Sequence, residues 1–293
     1  MRLFAATIRA IYAREALPAP VRWTLCAAAM RDWLALLARS LREHLGDGSR
    51  GVVADLVRDM FARRYAVLCQ AHPHLPEFER HPRAPVLLMA GLYQLPVQSK
   101  RGWLWTAVGG PPRGVAEWWR AARLLRPLSA EDRWRELTVH LGEMLIVVTE
   151  TLPARLPRAR QIVARMCHDL GARYARQMRR AFDLPDDTPV ANAIEILRAS
   201  EYLFRVNPEH ESGADESARL GFIDGNACPW YHRPGWKPGH CGIFGQFQAG
   251  VCSEFGLRYR LLTTIPKHGG DHCRVEISPI AIRRSAHGPA IQL

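Results

Sequence analysis

The residues best suited to chemistry lie in one stretch of the sequence, from Asp224 to Ile277. It contains four of the seven cysteines and four of the twelve histidines: Cys228, Cys241, Cys252, Cys273, His232, His240, His268 and His272. Thiolates are nucleophiles and metal ligands, and imidazole exchanges protons near neutral pH. The stretch therefore favours nucleophilic attack assisted by proton transfer, with metal binding as the alternative.

Cys273 is the strongest candidate for the nucleophile. Alternating apolar residues over Leu257–Ile265 and His272–Ile277 predict a hairpin whose turn is Pro266–Asp271. Cys273 then lies on the apolar face of the second strand, beside the turn.

The residues around this turn could assist the thiol: His268, Gly269, Gly270, Asp271 and His272. The two glycines would let backbone N–H groups approach a ligand, as in an oxyanion hole. The carboxylate and the imidazoles could move protons, and a protonated histidine would lower the pKa of Cys273. We therefore expect Cys273 to be alkylated faster than the three cysteines that precede this stretch.

Residues Gly239–Phe255 predict a helix with two stripes. One stripe is small, polar or thiol-bearing and the other is mainly aromatic: Cys241, Gly245, Gln248 and Cys252, and then Phe244, Phe247, Val251 and Phe255. The aromatic stripe should pack into a core, whereas the first stripe could line a pocket or make a close helix–sheet contact. Cys252 lies about 16 Å along the helix from Cys241, so we expect it to be structural.

The metal alternative depends on the spacing of the same cysteines. The sequence has no C-x-x-C pair, which disfavours a zinc knuckle. A mixed site from Cys228, His232, Cys241 and Cys273 is left open. His140 and Glu143 share a helix face and could form half of another site or a structural polar pair. No metal or other cofactor is predicted.

Most of the chain before this stretch has the periodicity of helices. The predicted helices lie in residues 1–80, Val115–Leu125, Ala130–Leu152 and Leu156–Phe182. Ser129 with Asp132 forms a helix-start box, and residues 84–111 are ambiguous.

A break at Leu184–Pro189 divides the chain into a helical region, 1–189, and an α+β region, 190–293. The second region begins with three segments: Glu195–Val206, a strand or a short helix; Asn207–Ser217, an acidic loop; and Gly221–Gly225, a short strand. The predicted fold class is α+β, with a helical N-terminal part followed by a small antiparallel sheet packed on a helix.

Charge and composition limit the partners. Residues 1–200 hold 30 Lys+Arg against 19 Asp+Glu and residues 201–293 hold 10 against 9, so the net charge of +12 lies mainly in the helical region. Without a nucleic-acid motif or a run of five cations, no nucleic-acid partner is expected. Ala84–Ser99 is too short and too interrupted by proline to span a bilayer. The start has no clean signal-peptide pattern, so free thiols in the cytoplasm are expected.

The stretch resembles the L-2-amino-thiazoline-4-carboxylic acid hydrolase family over about residues 194–278. Three motifs carry the resemblance: Cys228-Pro229, Cys241-Gly242-Ile243-Phe244 and Gly269-Gly270-Asp271-His272-Cys273-Arg274. The resemblance implies a small-molecule substrate and hydrolytic opening of a 2-aminothiazoline ring, in amino-acid or secondary metabolism. That reaction needs a thiolate or an activated water to attack the amidine-like C2.

The resemblance also implies roles for particular residues. The catalytic candidates are Cys273, Cys241, His272, His240, His268 and Asp271. The substrate-binding candidates are Cys228, Lys267, Arg274, Gly269, Gly270, Gln248 and Glu254. Lys267 or Arg274 would hold the substrate carboxylate. Asp271 or Glu254 would pair with the amidinium.

Two other functions stay open. A non-enzymatic ligand-binding or metal-binding module could use the same cysteines and histidines, as in the more distantly similar small-molecule sensor domains that end in Gly-Asp-x-x-Cys. The cysteine that such domains carry in the strand before this turn is absent. Arginine-rich helices could make a weak contact with a membrane surface, and a homo-oligomer is compatible with the sequence.

Overall fold

The computed structural model describes residues 2–71, 83–94, 110, 114–204, 210–231, 233–268 and 271–280. Its helices are α1 (Arg2–Ala13), α2 (Ala19–Leu45), α3 (Ser49–Ala71), α4 (Ala84–Leu92), α5 (Gly114–Leu125), α6 (Ala130–Thr151), α7 (Ala159–Phe182), α8 (Pro189–Phe204), α9 (Pro238–Ser253) and α10 (Ile265–His268). Its strands are β1 (His210–Asp215), β2 (Leu220–Gly225), β3 (Leu257–Thr263) and β4 (Cys273–Pro279). The predicted α+β class, with the helical part first, is confirmed.

The N-terminal part is a helical bundle centred on α2 and α6. The predicted apolar face of α2 is buried, with Met30, Trp33 and Leu37 each no more than 5% exposed. α6 begins at the predicted box, because the Asp132 N–H donates to Ser129 Oγ at 3.1 Å and the Ser129 N–H donates to Asp132 Oδ2 at 3.0 Å. These bonds satisfy donors that the start of a helix leaves free.

Helix α6 is also relevant to whether the chain contains a segment that could span a membrane. In the part of the chain that the structure describes, only the segment Ala130–Ala154 is long and apolar enough to cross a bilayer, and 67% of its apolar 18-residue window is buried inside the protein. Burial by neighbouring helices is what the core helix of a folded bundle requires. This agrees with the expected absence of an integral membrane segment.

The structure decides two segments that the sequence left open and corrects a third. α4 occupies the start of the ambiguous range 84–111, and α8 gives Glu195–Val206 the helical alternative as far as Phe204. The prediction of an acidic loop at Asn207–Ser217 was wrong, because β1 lies within this segment and pairs with β2. In that pairing, His210 lies opposite Gly225 and Asp215 lies opposite Leu220. β1 is an edge strand held by backbone pairing, so it needs little of the apolar alternation that sequence patterns detect.

The sheet has the antiparallel order β1-β2-β4-β3. The predicted hairpin is confirmed, with Tyr259 opposite Ile277 and Leu261 opposite Val275. Its connection contains the short helix α10 where the sequence indicated a turn. Val275 and Ile277 are buried in a core that also contains Val251 of α9, so the predicted helix packs on the sheet.

α7 and α9 cross so closely that glycines are needed on both helices. A Cβ on Gly171 would lie 1.9 Å from the backbone oxygen of Phe247, and a Cβ on Gly250 would lie 2.0 Å from that of His168. α7 also contributes Phe182 to the core beneath the sheet. The helical region and the α+β region predicted on either side of residue 189 therefore share a packed core.

Candidate functional site

Three thiols of the predicted site lie at the start of β4, in the loop after β2 and in the first turn of α9. Cys273 is the first residue of β4 and lies opposite Gly225, the last residue of β2. Cys228 follows in the loop after β2, and Cys241 lies in the first turn of α9. Cys273 raises the pKa of both other thiols, and Cys228 raises that of Cys241, so the three sulfurs interact electrostatically. All three are free thiols.

The loop that carries Cys228 is fixed by Trp230. The indole N–H of Trp230 donates to the backbone oxygen of Thr138 at 2.8 Å, and the residue is 2% exposed. Its ring lies over Gly142 of α6, where a Cβ would come within 2.4 Å of the indole. It also contacts Phe244 of α9 edge-on, with ring centroids 4.9 Å apart. Aromatic packing thus ties the Cys228 loop to both helices.

Burial raises the pKa of each thiol in this group. For Cys228, the backbone N–H groups of Trp230 and Tyr231 donate to the sulfur and oppose the effect of burial on its pKa. For Cys241, burial raises the pKa to about 11, against the opposing influence of the Trp236 indole. These two groups are therefore neutral thiols near pH 7 in the free protein.

The predicted lowering of the Cys273 pKa was wrong. Burial raises the pKa of Cys273, the Ile265 N–H opposes this by donating to the sulfur at 3.4 Å, and the Glu201 carboxylate raises it further. His272 was expected to lower it, but this exposed side chain is paired with Asp271 at 2.8 Å. Both members of this pair precede β4 and are exposed to solvent, whereas Cys273 is partly buried.

His240 is committed to holding the start of α9. The Lys237 N–H donates to His240 Nδ1 at 2.9 Å, so the ring proton is on Nε2, which lies 2.9 Å from Thr149 Oγ1 of α6. Burial lowers the pKa of His240, which is 2% exposed. Both ring nitrogens are occupied by helix-positioning contacts, so the geometry does not favour His240 as a proton carrier for the thiols.

Several predicted residues lie outside the described part of the chain. Gly269, Gly270 and His232 are not among the described residues, and of His268 only the backbone, at the end of α10, is described. The oxyanion hole and the proton-transfer role predicted for this turn stay predictions.

The predicted substrate-binding charges are paired, exposed to solvent or distant from the thiols. Arg274 Nη1 lies 3.2 Å from Asp224 Oδ2, and Lys267 is exposed to solvent. Glu254 pairs with Arg176 beyond the C-terminal end of α9, about 20 Å along the chain from Cys241 at the helical rise per residue. Glu254 and the thiols therefore cannot hold the same small substrate.

A buried carboxylate that the sequence-based site lacks affects the pKa of Cys273. Glu201 of α8 is 5% exposed and raises the pKa of both Cys273 and Tyr259. Its only sequence signal is an acidic residue inside the largely apolar run ASEYLF. Because α8 could not be assigned to one type of element, the face that Glu201 occupies could not be deduced.

Some residues of the thiol-bearing stripe of α9 make a close contact with the sheet, and another lines a cavity. Gly245 faces the ring of Tyr259, where a Cβ would lie 3.6 Å away, and Cys252 is fully buried with a pKa raised to about 12 by burial. This agrees with a structural Cys252. Gln248 instead lines a cavity of about 710 Å³, as do Phe244 and Phe247 of the predicted core stripe.

Of the two predicted metal sites, the mixed one includes His232, which lies outside the described residues, so that site stays a prediction. Among the described residues, no three histidine, cysteine, aspartate or glutamate side chains are arranged to hold a metal ion. His140 Nδ1 lies 3.3 Å from the Tyr93 hydroxyl, and Glu143 pairs with Arg64 at 3.1 Å. His140 and Glu143 thus belong to a buried polar network, as in the structural alternative.

Comparison with protein-family models, with curated proteins and with solved structures found no match for this chain. The resemblance to the thiazoline hydrolases therefore stays a prediction from three motifs.

Proposed function

We propose that this protein is a hydrolase that opens a small cyclic amidine of the 2-aminothiazoline type by attack at the amidine-like carbon. The observation that supports it is that Cys273 affects the pKa of Cys228 and Cys241, and that the buried carboxylate of Glu201 affects the pKa of Cys273. A cationic, amidine-like substrate is the kind of molecule that such a site complements, because it would lie between thiols and a carboxylate.

The raised pKa values fit a substrate that activates its own nucleophile. In the free protein, burial and the Glu201 carboxylate keep Cys273 protonated. A bound amidinium would neutralise Glu201 and favour the thiolate, because opposite charge within a few ångströms lowers a thiol pKa. Cys273 would then be the nucleophile, with Cys241 as the alternative.

The reaction consumes one water. The Cys273 thiolate adds to C2, and the ring C–N bond breaks as its electrons go to the departing nitrogen, which takes up the thiol proton. Water then attacks the same carbon, its oxygen becomes the product carbonyl, and the sulfur of Cys273 leaves and regains a proton. The thiol is regenerated and the protein undergoes no net oxidation or reduction.

The proposal is tested by turnover of 2-aminothiazoline-4-carboxylate, followed by mass spectrometry of the product. We expect Cys273→Ser to reduce kcat by more than about 1000-fold, as loss of a nucleophile commonly does. Cys69→Ser changes a buried cysteine of α3 and serves as the matched control. Failure of the wild-type protein to open this or related cyclic amidines would refute the proposal.

A ligand-binding module without turnover is the second candidate. The raised pKa of all three thiols favours it, because protonated thiols are weak nucleophiles. In that case the substrate analogue would bind to wild type and Cys273→Ser alike, and neither would change it. Either function suits free thiols in a reducing cytoplasm, which is the location that we propose.

A further inference from the structure

We infer that the cavity between α2, α7, α8 and α9 is a binding site for an amphipathic carboxylate that carries a hydrogen-bond donor at the end of its apolar body. The site goes beyond the proposed hydrolase function. None of the three clustered thiols lines the cavity, although Glu201 does. The inference depends on the size of the cavity, the charge around its opening and the buried polar atoms at its wall.

The cavity has the size and the lining of a small-molecule site. Its volume is about 710 Å³, within the range of roughly 300–1,000 Å³ that ligand pockets occupy. Its apolar lining includes Met30, Trp33 and Leu36 of α2 and Phe244 and Phe247 of α9. These side chains would contact an aliphatic or aromatic body and remove it from water.

Among the described lining residues of the cavity, four of the five exposed charged side chains are arginines, and the fifth is Asp32. Arg39, Arg42, Arg50 and Arg173 all line it and are exposed. Within the described ranges, Arg39, Arg50 and Arg173 form no ion pair, and Arg42 makes only a 3.9 Å contact with the fully exposed Asp47. Guanidinium groups bind carboxylates through paired hydrogen bonds, so an anionic head group fits this opening.

The wall of the cavity carries buried polar atoms that need partners. Gln248 is 5% exposed, and its Oε1 has no hydrogen-bond partner among the described residues. The Tyr174 hydroxyl is likewise buried without a partner in the described part of the chain. Buried polar groups are normally satisfied, and an amide oxygen can only accept. A side-chain rotation that turns Gln248 Oε1 into the cavity would let a donor on the ligand, such as a hydroxyl or an amide N–H, satisfy it.

Titration calorimetry with three probes of equal chain length tests the head group and the far end separately. The probes are dodecanoate, ω-hydroxydodecanoate and dodecyltrimethylammonium. We expect saturable binding of both carboxylates at one site and none of the ammonium probe. The hydroxyl should tighten binding by about 5-fold, because it adds one hydrogen bond to Gln248.

Matched variants locate the site. Arg173→Gln should weaken binding of dodecanoate by about 5-fold or more, whereas Arg180→Gln, which removes a cation from the same helix outside the cavity, should not. Gln248→Leu keeps the size of the side chain and removes the acceptor. It should therefore abolish the preference for ω-hydroxydodecanoate while dodecanoate still binds.

Three results would overturn the inference: no saturable binding of either carboxylate, equal binding of the ammonium probe, or equal effects of Arg173→Gln and Arg180→Gln. Cys273→Ser should bind the carboxylates like wild type. Loss of thiazoline turnover in that variant with intact carboxylate binding would separate this site from the proposed hydrolase chemistry.

Discussion

Replacing Gly250 by alanine tests how the site is held, because α9 carries Cys241 at one end and crosses α7 at Gly250. The added Cβ would lie 2.0 Å from the His168 backbone oxygen and 2.9 Å from the Ala172 backbone nitrogen. Both obstacles are backbone atoms of α7, so no side chain can rotate to make room. Gly242 is the matched control on the same helix, since nothing lies within 4 Å of its Cβ position.

The expected magnitude follows from two opposing effects. Alanine in a helix is favoured over glycine by about 0.5–1 kcal/mol, and this gain applies to both substitutions. Overpacking a well-filled contact costs about 1–3 kcal/mol, and a backbone obstacle places Gly250→Ala at the upper end of that range. We therefore expect Gly250→Ala to lose about 2 kcal/mol of unfolding free energy and Gly242→Ala to gain about 0.5 kcal/mol.

Urea denaturation followed by circular dichroism measures both changes in one experiment. The midpoint should fall for Gly250→Ala and rise slightly for Gly242→Ala, with the same slope for both variants. Equal midpoints would show that α7 and α9 do not approach as closely as described. The crossing of α7 and α9 would then not be what holds Cys241 in position.

Three further predictions concern the thiols and Glu201. Burial raises the pKa of Cys241 to about 11. Its alkylation by iodoacetamide, followed by peptide mapping, should therefore still accelerate by about tenfold per pH unit above the ordinary thiol pKa of about 8.5. An alkylation rate that levels off near pH 8.5 would contradict the raised pKa. Glu201→Gln removes a carboxylate that raises the pKa of Cys273. Cys273 should therefore be alkylated faster at neutral pH, while kcat/KM for the cationic substrate falls by about tenfold or more. An increase in both the alkylation rate and kcat/KM would rule out a role of Glu201 in amidinium binding. Cys252→Ala leaves a small cavity beneath the sheet and should cost about 1 kcal/mol in urea denaturation while most turnover is kept; a loss equal to that of Cys273→Ser would place Cys252 in the reaction.

The sequence was sufficient to predict the elements in which apolar side chains alternate along a strand or recur at helical spacing. β3 and β4 follow from alternating apolar residues, and α9 follows from its aromatic stripe, because these patterns reflect the face that each element buries. β1 could not be found in this way, since its residues are polar and its stability comes from pairing with β2. A short sequence segment shows its own residue pattern, but it does not show which distant strand it pairs with.

The candidate site was only partly predictable for a similar reason. Cys228, Cys241 and Cys273 were marked by their residue type, and the position of Cys273 beside the start of the Cys228 loop depends on the register that places it opposite Gly225. Glu201 comes from a helix before the motif-bearing stretch, so no spacing rule connects it to the thiols. The pKa of Cys273 depends on burial and on Glu201, neither of which a sequence reveals, and this is why a lowered value was expected.

Acid quenching during turnover of 2-aminothiazoline-4-carboxylate, followed by peptide mass mapping, tests the central claim most directly. Covalent catalysis predicts a transient increase equal to one substrate mass on the peptide that contains Cys273, and its absence from the Cys273→Ser protein. The adduct should appear before product and decay as substrate is exhausted. Product formed with no adduct on Cys273 or Cys241, at a rate unchanged in both serine variants, would contradict the account.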